Sequence, residues 1–258
     1  MSQRTVIGVL GLGEAGGAFS ADLAAAGAQV RGYDPAVPAG PGLVAASSEA
    51  DAATGADLVL SVNRSAVAVE VMEAGIGALP EGSVWADLNT ASPAKKERLA
   101  EIAERHGIAF ADIAIMAPVP GPRLQVPMLV SGPGAVRAAE LLSGFGARVE
   151  VLDGPPGLAA TRKLLRSVYF KGMAASIVEA LEAARAAGFE DLLRENIIAD
   201  LTAAGESTVE RIVSGTYQHA VRRTDEMAAA TEMLTDLGVT PSMAAGSRDL
   251  HARLSEDS

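Results

Sequence analysis

Up to about residue 153, short apolar runs alternate with alanine-rich stretches that carry helical spacing, and glycine, proline or aspartate separates each pair. Such alternation is typical of a parallel sheet covered by helices on both faces. Several of the apolar runs are uninterrupted, as strands buried on both faces should be. The pattern predicts strands over residues 5–10, 29–33, 58–62, 84–88, 109–113, 128–131 and 148–152, and a helix over residues 93–105 that starts after Ser92.

The second half of the chain has a different character, because no segment after Gly157 has the pattern of a strand. We therefore predict two domains, residues 1–153 and an all-helical domain over residues 154–258. The first helix of the second part is predicted over residues 159–187, and a helix of about 28 residues would be about 40 Å long. A small domain does not cover such a helix alone, so we expect a homodimer with each active site near the subunit boundary.

The composition excludes several classes of protein. The 258 residues include 32 acidic and 21 basic side chains, which give a net charge of −11, and there is no cysteine. An acidic surface repels nucleic acid, and the absence of cysteine together with only three histidines argues against a metal site. No apolar run approaches the roughly 20 residues of a membrane span. The apolar run at the start of the sequence ends at Glu14, and no signal-peptide cleavage site follows it. We expect a cytoplasmic protein that binds small molecules.

A glycine-rich segment, Gly11-Leu12-Gly13-Glu14-Ala15-Gly16, lies where the first strand gives way to a helix. In this context GxGxxG spacing predicts a dinucleotide-binding loop. Gly11 permits a tight turn, Gly13 leaves room for a pyrophosphate, and Gly16 allows close packing of helix and strand. The N–H groups of the following helix would face the phosphates, and we expect the side chain of Glu14 to turn outward. These features predict a Rossmann-type, doubly wound and mostly parallel sheet.

Polar residues follow the next three strands at their carboxyl ends. Asp34 ends the second strand, where a carboxylate can accept the ribose hydroxyls of NAD and repel the 2′-phosphate of NADP. No basic residue follows Asp34 before Arg64, so NAD is favoured, with NADP as the alternative. Asn63 and Thr90 lie where nicotinamide and ribose bind in such sheets. The alternative is a purely structural glycine turn followed by an unrelated surface aspartate.

Lys163 stands near the start of the long helix, where Lys163, Ser167 and Phe170 share one stripe. Nearby positive charge and partial burial favour the neutral amine that a general acid/base needs near neutral pH. The neighbouring cationic side chains are Arg162, Arg166 and Lys171. The alternative is a solvated basic cluster, although basic residues early in a helix oppose its dipole.

These motifs resemble those of the β-hydroxyacid dehydrogenase family, the group of 3-hydroxyisobutyrate and 6-phosphogluconate dehydrogenases. The resemblance rests on the glycine loop, on Asp87-Leu-Asn-Thr-Ala-Ser-Pro93, and on the spacing of Gly157, Lys163 and Ser167. It implies an NAD(P)-dependent dehydrogenase with Lys163 as the catalytic lysine. The substrate would be a small hydroxy compound, such as a 3-hydroxy acid, or its carbonyl.

The chain departs from the family pattern in three places. Ser167 stands where the family has asparagine, and Phe170 stands where 6-phosphogluconate dehydrogenases have glutamate, which argues against decarboxylation of a sugar phosphate. Met116, Ala117 and Pro118 replace the hydroxyl and glycines that receive a substrate carboxylate, and Pro118 has no N–H to donate. We expect Met116, Ala117, Pro118 and Ser167 to contact the substrate of a divergent branch.

Two further interpretations of the function remain open. An imine reductase is favoured by the apolar segment 116–118 and disfavoured by the lysine, because related imine reductases generally lack it. A dinucleotide-binding protein without turnover would need the glycine loop but not Lys163.

Several other polar residues are candidate site residues. His219, followed by Arg222 and Arg223, could bind a substrate carboxylate, or the two arginines could pair with Glu226 on a solvated face. Arg123 is a candidate anion contact. His106 is expected at a helix end and His251 at the surface, whereas Trp85 and Met72 are expected in the core.

Overall fold

The computed structural model describes residues 4–256. They divide into two compact units between Arg166 and Ser167, within a long helix. The predicted domain boundary after residue 153 marks instead where strands end and helices begin, and as a domain boundary it stays a prediction. No strand follows residue 151 in the described part of the chain.

The first unit contains an eight-stranded sheet, ordered β3-β2-β1-β4-β5-β6-β7-β8. All pairs are parallel except β6 with β7, which is antiparallel. The order reverses beside β1, which has β2 on one side and β4 on the other, and such switch points form ligand crevices. The strands are β1 (Val6–Leu10), β2 (Gln29–Tyr33), β3 (Val44–Ala45), β4 (Leu58–Ser61), β5 (Val84–Asp87), β6 (Ala109–Ile115), β7 (Met128–Ser131) and β8 (Val149–Val151).

This sheet and the helical part that follows it confirm the predicted Rossmann-type fold class. The predicted strands match within two residues, but β3 was missed because it is only two residues long. The helices of this unit are α1 (Glu14–Ala25), α2 (Glu49–Ala53), α3 (Ala68–Gly75), α4 (Pro93–Arg105), α5 (Ala135–Ser143) and the start of α6 (Leu158–Ala187).

The sheet separates two hydrophobic clusters. Phe19 of α1 belongs with Val9 to one cluster, whereas Trp85 and Met72 belong to the other and are fully buried, as predicted. Successive strand residues point to opposite faces, which explains why Val9 and Leu10 lie in different clusters.

Helix α4 has the predicted bounds. The hydroxyl of Ser92 accepts a hydrogen bond from the Lys95 N–H at 3.3 Å, and Pro93 occupies the first turn, where its missing N–H costs nothing. His106 is the C-cap residue, as expected from the sequence. This helix therefore begins and ends on local signals.

The second unit holds the rest of α6 and the helices α7 (Glu190–Ala203), α8 (Glu206–Gln218), α9 (Ala220–Asp236) and α10 (Ser242–Glu256). The expectation that His251 lies at the surface is wrong, since its exposure is 9%. It follows the buried Ala244 by seven positions on α10, so the helical period turns both toward the interior of this unit. Glu179 of α6 caps α10 by accepting from the N–H groups of Met243 and Ala244 at 2.7 and 2.8 Å.

None of the helices within residues 4–256 is both long and apolar enough to cross a bilayer.

Candidate nucleotide cleft

A cleft of about 670 Å³ opens at the carboxyl ends of β1, β2, β4 and β5, in the first unit. It lies at the switch point of the strand order, where open parallel sheets bind their ligands. The cleft brings together most of the residues predicted for cofactor binding and catalysis, namely Gly11, Gly13, Glu14, Ala15, Asp34, Asn63, Thr90 and Lys163.

The glycine loop has the geometry that its spacing predicts. Gly11 has a φ of 101°, and a Cβ there would lie 2.3 Å from the carbonyl oxygen of Val62. A Cβ on Gly16 would lie 1.9 Å from the carbonyl oxygen of Gly11, so these two glycines permit close backbone packing. A Cβ on Gly13 would meet no protein atom within 4 Å and would instead project into open space. The loop therefore leaves room for a ligand at Gly13 alone among these three positions.

The start of α1 has the properties of a phosphate site. Gly13 is its N-cap residue, and no side chain caps the helix. Uncapped N–H groups at a helix start carry partial positive charge and bind phosphate oxygens. Glu14, in the first turn, is exposed and lines the cleft. Leu12 is buried, and its methyl carbon Cδ2 would lie 3.1 Å from a Cβ on Gly32, so Leu12 supports the loop by packing.

Asp34 is tied to the glycine loop by its carboxylate. Oδ2 accepts from the Leu12 N–H at 2.8 Å, and Oδ1 accepts from the N–H groups of Ala36 and Val37 at 2.8 and 3.0 Å. Partial burial by itself raises the pKa of Asp34, but these three N–H groups outweigh it and hold the pKa below its ordinary value. The group is therefore a carboxylate at neutral pH, and Oδ2 retains a lone pair for a hydroxyl donor.

Asn63 is held by a second asparagine that the sequence analysis did not single out. The side-chain oxygen of Asn89 accepts from the Asn63 N–H at 2.7 Å, and the Asn89 amide donates to the Asn63 side-chain oxygen at 3.1 Å. The Asn63 amide also donates to the hydroxyl of Ser61 at 3.1 Å. Both asparagines line the cleft, so this wall is oriented before any ligand binds.

Lys163 lies on the second turn of α6, half-buried, and lines the cleft. The first turn of α6 is fastened to the sheet by side chains. The carboxylate oxygen Oδ2 of Asp112 accepts from the N–H groups of Gly157 and Ala160 at 3.1 and 3.0 Å, and the hydroxyl of Ser131 accepts from the Ala159 N–H at 3.1 Å. Carboxylate capping of this kind stabilises a helix start.

The basic residues beside Lys163 have partners. The guanidinium of Arg166 donates to the Met116 carbonyl oxygen at 3.0 Å, and the guanidinium of Arg162 lies 3.9 Å from Glu150. The cationic cluster seen in the sequence is therefore dispersed over two different contacts.

A buried ion triad was missed entirely. The ammonium of Lys96 lies 2.6 Å from Asp87 Oδ1 and 3.0 Å from Asp112 Oδ1, and all three side chains have an exposure of 1% or less. The contact to Asp112 Oδ1 is an ion pair without hydrogen-bond alignment, whereas that to Asp87 is a hydrogen bond. A sequence signal existed, because Lys96, Leu99 and Ala103 recur at the spacing of one buried helix face.

Other predicted residues lie elsewhere. Within the described part of the chain, the lining of the cleft does not include Leu12, Gly16, Met116, Ala117, Pro118, Ser167 or His219. Leu12 and Gly16 shape the loop from behind, and Met116 belongs to a small apolar cluster with Ala114 and Ala159. The substrate contacts assigned to Met116, Ala117, Pro118, Ser167 and His219 stay predictions.

The three candidate arginines, Arg123, Arg222 and Arg223, contact groups of the protein itself. Arg123 donates to Asp22 at 2.8 Å, and Arg222 pairs with Glu226 at 3.5 Å on an exposed face. Arg223 donates instead to the hydroxyl of Thr216 at 2.7 Å. The solvated ion pair predicted for this helix is thus present for Arg222. Its neighbour His219 lines a shallow pocket of the second unit.

Two family models match the chain. Residues 6–151 match the family described as the NAD binding domain of 6-phosphogluconate dehydrogenase, and residues 184–254 match a domain of unknown function, DUF1932. The first match confirms the resemblance inferred from the motifs and assigns a nicotinamide dinucleotide to this unit.

One relative was found among curated sequences. An uncharacterized 28.5 kDa protein from the 7S RNA 5′ region of Methanothermus fervidus is 25% identical over 173 residues. These residues make up 67% of this chain and 66% of that protein, so the match spans just under two thirds of the relative's length.

Solved structures share the fold. A conserved hypothetical protein from Sinorhizobium meliloti 1021 is 29% identical, with a TM-score of 0.63 over 97% of this chain and 88% of that one. A conserved protein of unknown function, described as similar to 3-hydroxyacid dehydrogenases, is 24% identical, with a TM-score of 0.62 over 97% of both chains. An imine reductase variant from Myxococcus stipitatus in complex with NAD+ is 18% identical, with a TM-score of 0.79 over 99% and 95%.

The loop geometry predicts that Gly13→Ala mainly weakens NADH binding, whereas Gly16→Ala mainly lowers stability. Gly13→Ala adds a methyl group in open space, and alanine is a poorer N-cap residue than glycine, so the free energy of unfolding should fall by no more than about 1 kcal/mol. Because that methyl faces the cleft, the affinity for NADH should fall by about tenfold, or roughly 1.4 kcal/mol. Gly16→Ala places a methyl against the Gly11 carbonyl and should cost roughly 2 kcal/mol or more of stability.

Urea unfolding and NADH fluorescence titration measure the two effects on the same preparations. Gly27→Ala tests a positive-φ glycine outside the cleft, and it should affect stability but not NADH affinity. Equal losses of stability at Gly13 and Gly16 would contradict the assignment of Gly13 to the ligand side of the loop.

Proposed function

We propose that this chain, which belongs to the family of the NAD binding domain of 6-phosphogluconate dehydrogenase, is an NAD-dependent oxidoreductase that interconverts a small hydroxy compound and its carbonyl. The observation that supports the reaction is the presence of Lys163 in the cleft that also holds the glycine loop and Asp34. Residues 1–153 would bind the cofactor, and residues 154–258 would complete the substrate site and the dimer.

The residues present fit a dinucleotide. The uncapped start of α1 and the open side of Gly13 suit a pyrophosphate, and the Asp34 carboxylate suits ribose hydroxyls. Asn63, Asn89 and Thr90 line the same cleft as Lys163, and they would hold nicotinamide and its ribose. When bound, the nicotinamide ring supplies a hydride acceptor in oxidation or a hydride donor in reduction.

Lys163 would handle the proton of the same reaction. In oxidation its neutral amine takes the proton of the substrate hydroxyl while the C–H hydrogen leaves as hydride, and in reduction its ammonium returns the proton to the carbonyl oxygen. Ser167, one turn further along α6, would donate a hydrogen bond to the same substrate. The segment Met116-Ala117-Pro118 directly follows β6, whose last residue, Ile115, lines the cleft, and would contact the apolar part of the substrate.

Imine reduction is the second candidate function. The segment 116–118 offers apolar side chains where the family pattern has a hydroxyl and glycines, which favours an uncharged substrate. Lys163 favours the hydroxy compound instead, because an ammonium beside a positively charged iminium ion would be repelled. The third candidate is a dinucleotide sensor, which would bind NADH without turnover.

Substitution of Lys163 tests the proposed reaction. We expect Lys163→Ala to keep its affinity for NADH and to lower kcat by roughly 10² or more, the scale of general acid/base catalysis. NADH absorbance would be followed with a panel of 3-hydroxy acids, their carbonyl forms and cyclic imines. Lys171→Ala, which removes an exposed lysine of the same helix, is the matched control and should behave as the wild type.

The outcomes separate the three candidates. A Lys163→Ala enzyme with near-normal kcat would remove the lysine from the mechanism. Faster turnover of cyclic imines than of any carbonyl would favour imine reduction, and tight NADH binding without hydride transfer to any member of the panel would favour a sensor.

Cofactor preference follows from the charge of the cleft. Its lining includes the four acids Glu14, Asp34, Glu49 and Glu70 against two cationic side chains, so a further phosphate is disfavoured. We expect NADH to bind more tightly than NADPH, and Asp34→Asn to narrow the difference by about fivefold, since one close like-charge pair costs about 1 kcal/mol in water. Fluorescence titration with both cofactors measures this difference, and Glu101→Gln, at an exposed position of α4 outside the cleft lining, is the control. Tighter binding of NADPH than of NADH by the wild type would overturn the preference.

The second unit supports a homodimer. Helices α7 and α8 contain no buried residue, although both carry large apolar side chains that are more than half exposed, such as Leu192, Ile198, Val209 and Ile212. Exposed apolar surface of this kind marks an interface, and a second copy of this chain is the partner we propose. We also propose that the enzyme acts in the cytoplasm on a nicotinamide cofactor available there.

Sedimentation at micromolar concentration should therefore give a dimer. Ile198→Asp should shift it toward the monomer, because the charge would be buried in the interface. Ser207→Asp, an exposed polar position on α8, is the control. A wild-type protein that sediments as a monomer at this concentration would contradict the proposed dimer.

A further inference from the structure

The buried triad of Lys96, Asp87 and Asp112 has no part in the chemistry described so far. Asp87 and Asp112 are direct neighbours across β5 and β6, and both side chains are fully buried. Two such carboxylates repel each other strongly, and the Lys96 ammonium lies between them at 2.6 and 3.0 Å. Lys96 also donates to the carbonyl oxygen of Asp87 at 2.8 Å. Lys96 thus allows both strands to carry a carboxylate at this level of the sheet.

Each carboxylate of the triad holds a different part of the cleft. Asp87 Oδ2 accepts from the amide of Asn89 at 2.7 Å, and Asn89 in turn holds Asn63. Asp112 Oδ2 accepts from two N–H groups in the first turn of α6, which lies one turn before Lys163. A continuous buried network therefore joins the wall of the cleft to the helix that carries the proton-transfer lysine.

The starts of α4 and α6 are also in direct contact. Gly157 has a φ of 94°, and a Cβ there would lie 3.2 Å from the Cα and the carbonyl oxygen of Pro93. Lys96 lies in the first turn of α4, three residues after Pro93. A helix turn is rigid, so a displacement of the first turn of α6 moves the Cα of Lys163 with it.

We propose that Lys96 is a positioning residue for the reaction, which fixes the amine of Lys163 at the cleft through Asp112 and the first turn of α6. This inference rests on the proposed function of Lys163. Removal of the ammonium leaves two adjacent buried carboxylates without compensation, so the Asp112 side chain must move away from Asp87, and its hold on Gly157 and Ala160 weakens. Misplacement of a catalytic group by about 1 Å can cost roughly 10² in rate.

A double-mutant cycle separates positioning from general stability. With NADH and the best substrate of the panel at saturation, we expect Lys96→Met to lower kcat by about tenfold or more in the wild type but by less than about twofold in Lys163→Ala. A role in stability alone would instead give the same factor on both backgrounds. Lys95→Met, the same substitution at the adjacent lysine, is the matched control, since Lys95 contacts the carbonyl oxygen of Ser65 and not the triad.

A second readout does not depend on turnover. The chain has only four lysines, Lys95, Lys96, Lys163 and Lys171, so each ¹³Cε-lysine NMR signal can be assigned by substitution. In Lys96→Met the Lys163 signal, and its response to added NADH, should change, while the Lys171 signal should not. Asp112→Asn keeps the Lys96–Asp87 pair and the side-chain volume, and it provides the same cycle and spectra if Lys96→Met is insoluble.

The outcomes distinguish this inference from the proposed function. Loss of activity in Lys163→Ala, with equal effects of Lys96→Met on both backgrounds and an unmoved Lys163 signal, would overturn the positioning role alone. Near-normal kcat in Lys163→Ala would overturn the proposed function and the positioning role with it.

Discussion

The close approach of two backbone segments at the start of α1 is the constraint on which the cleft depends. Gly16 packs closely against the carbonyl group of Gly11, and Gly11 packs closely against that of Val62, because neither glycine carries a Cβ. This brings the loops after β1 and β4 together at the switch point of the strand order. The remaining glycine, Gly13, is then left with space around it, and we propose that space as the ligand site. In this proposal two glycines act on the fold and one acts on binding, within a single six-residue motif.

Two polar side chains beneath this loop, the half-buried Asp34 and the buried Asn89, keep the cleft in shape. Asp34 joins the end of β2 to the loop through Leu12, and Asn89 joins the ends of β4 and β5 through Asn63. Each of these side chains satisfies a backbone N–H that would otherwise be costly to bury. The same hydrogen bonds that stabilise the fold therefore order the site before a ligand binds. This reduces the loss of conformational entropy on binding.

Local signals explain why much of this structure could be predicted from the sequence. The α4 bounds follow from Ser92, Pro93 and Gly107, and the loop follows from a strand, three glycines and an acid in register. The triad as a whole could not be found in this way, because Asp87 and Asp112 become neighbours only when β5 and β6 pair. The spacing of Lys96 indicates only that it lies on the buried face of α4. The burial of His251 depends in the same way on packing within the second unit, since histidine as a residue type does not show that it shares the inner face of α10 with Ala244.

The choice between an alcohol and an imine as substrate comes down to which charges surround the reacting atoms. An alkoxide that forms during hydride transfer is stabilised by a nearby ammonium, whereas an iminium ion is destabilised by it. Lys163 is the cationic side chain of α6 that lines the cleft, and Arg162 and Arg166 contact groups elsewhere. In the proposed reaction the apolar segment 116–118 would determine which hydroxy compounds fit and not which bond reacts, because it offers no proton to exchange.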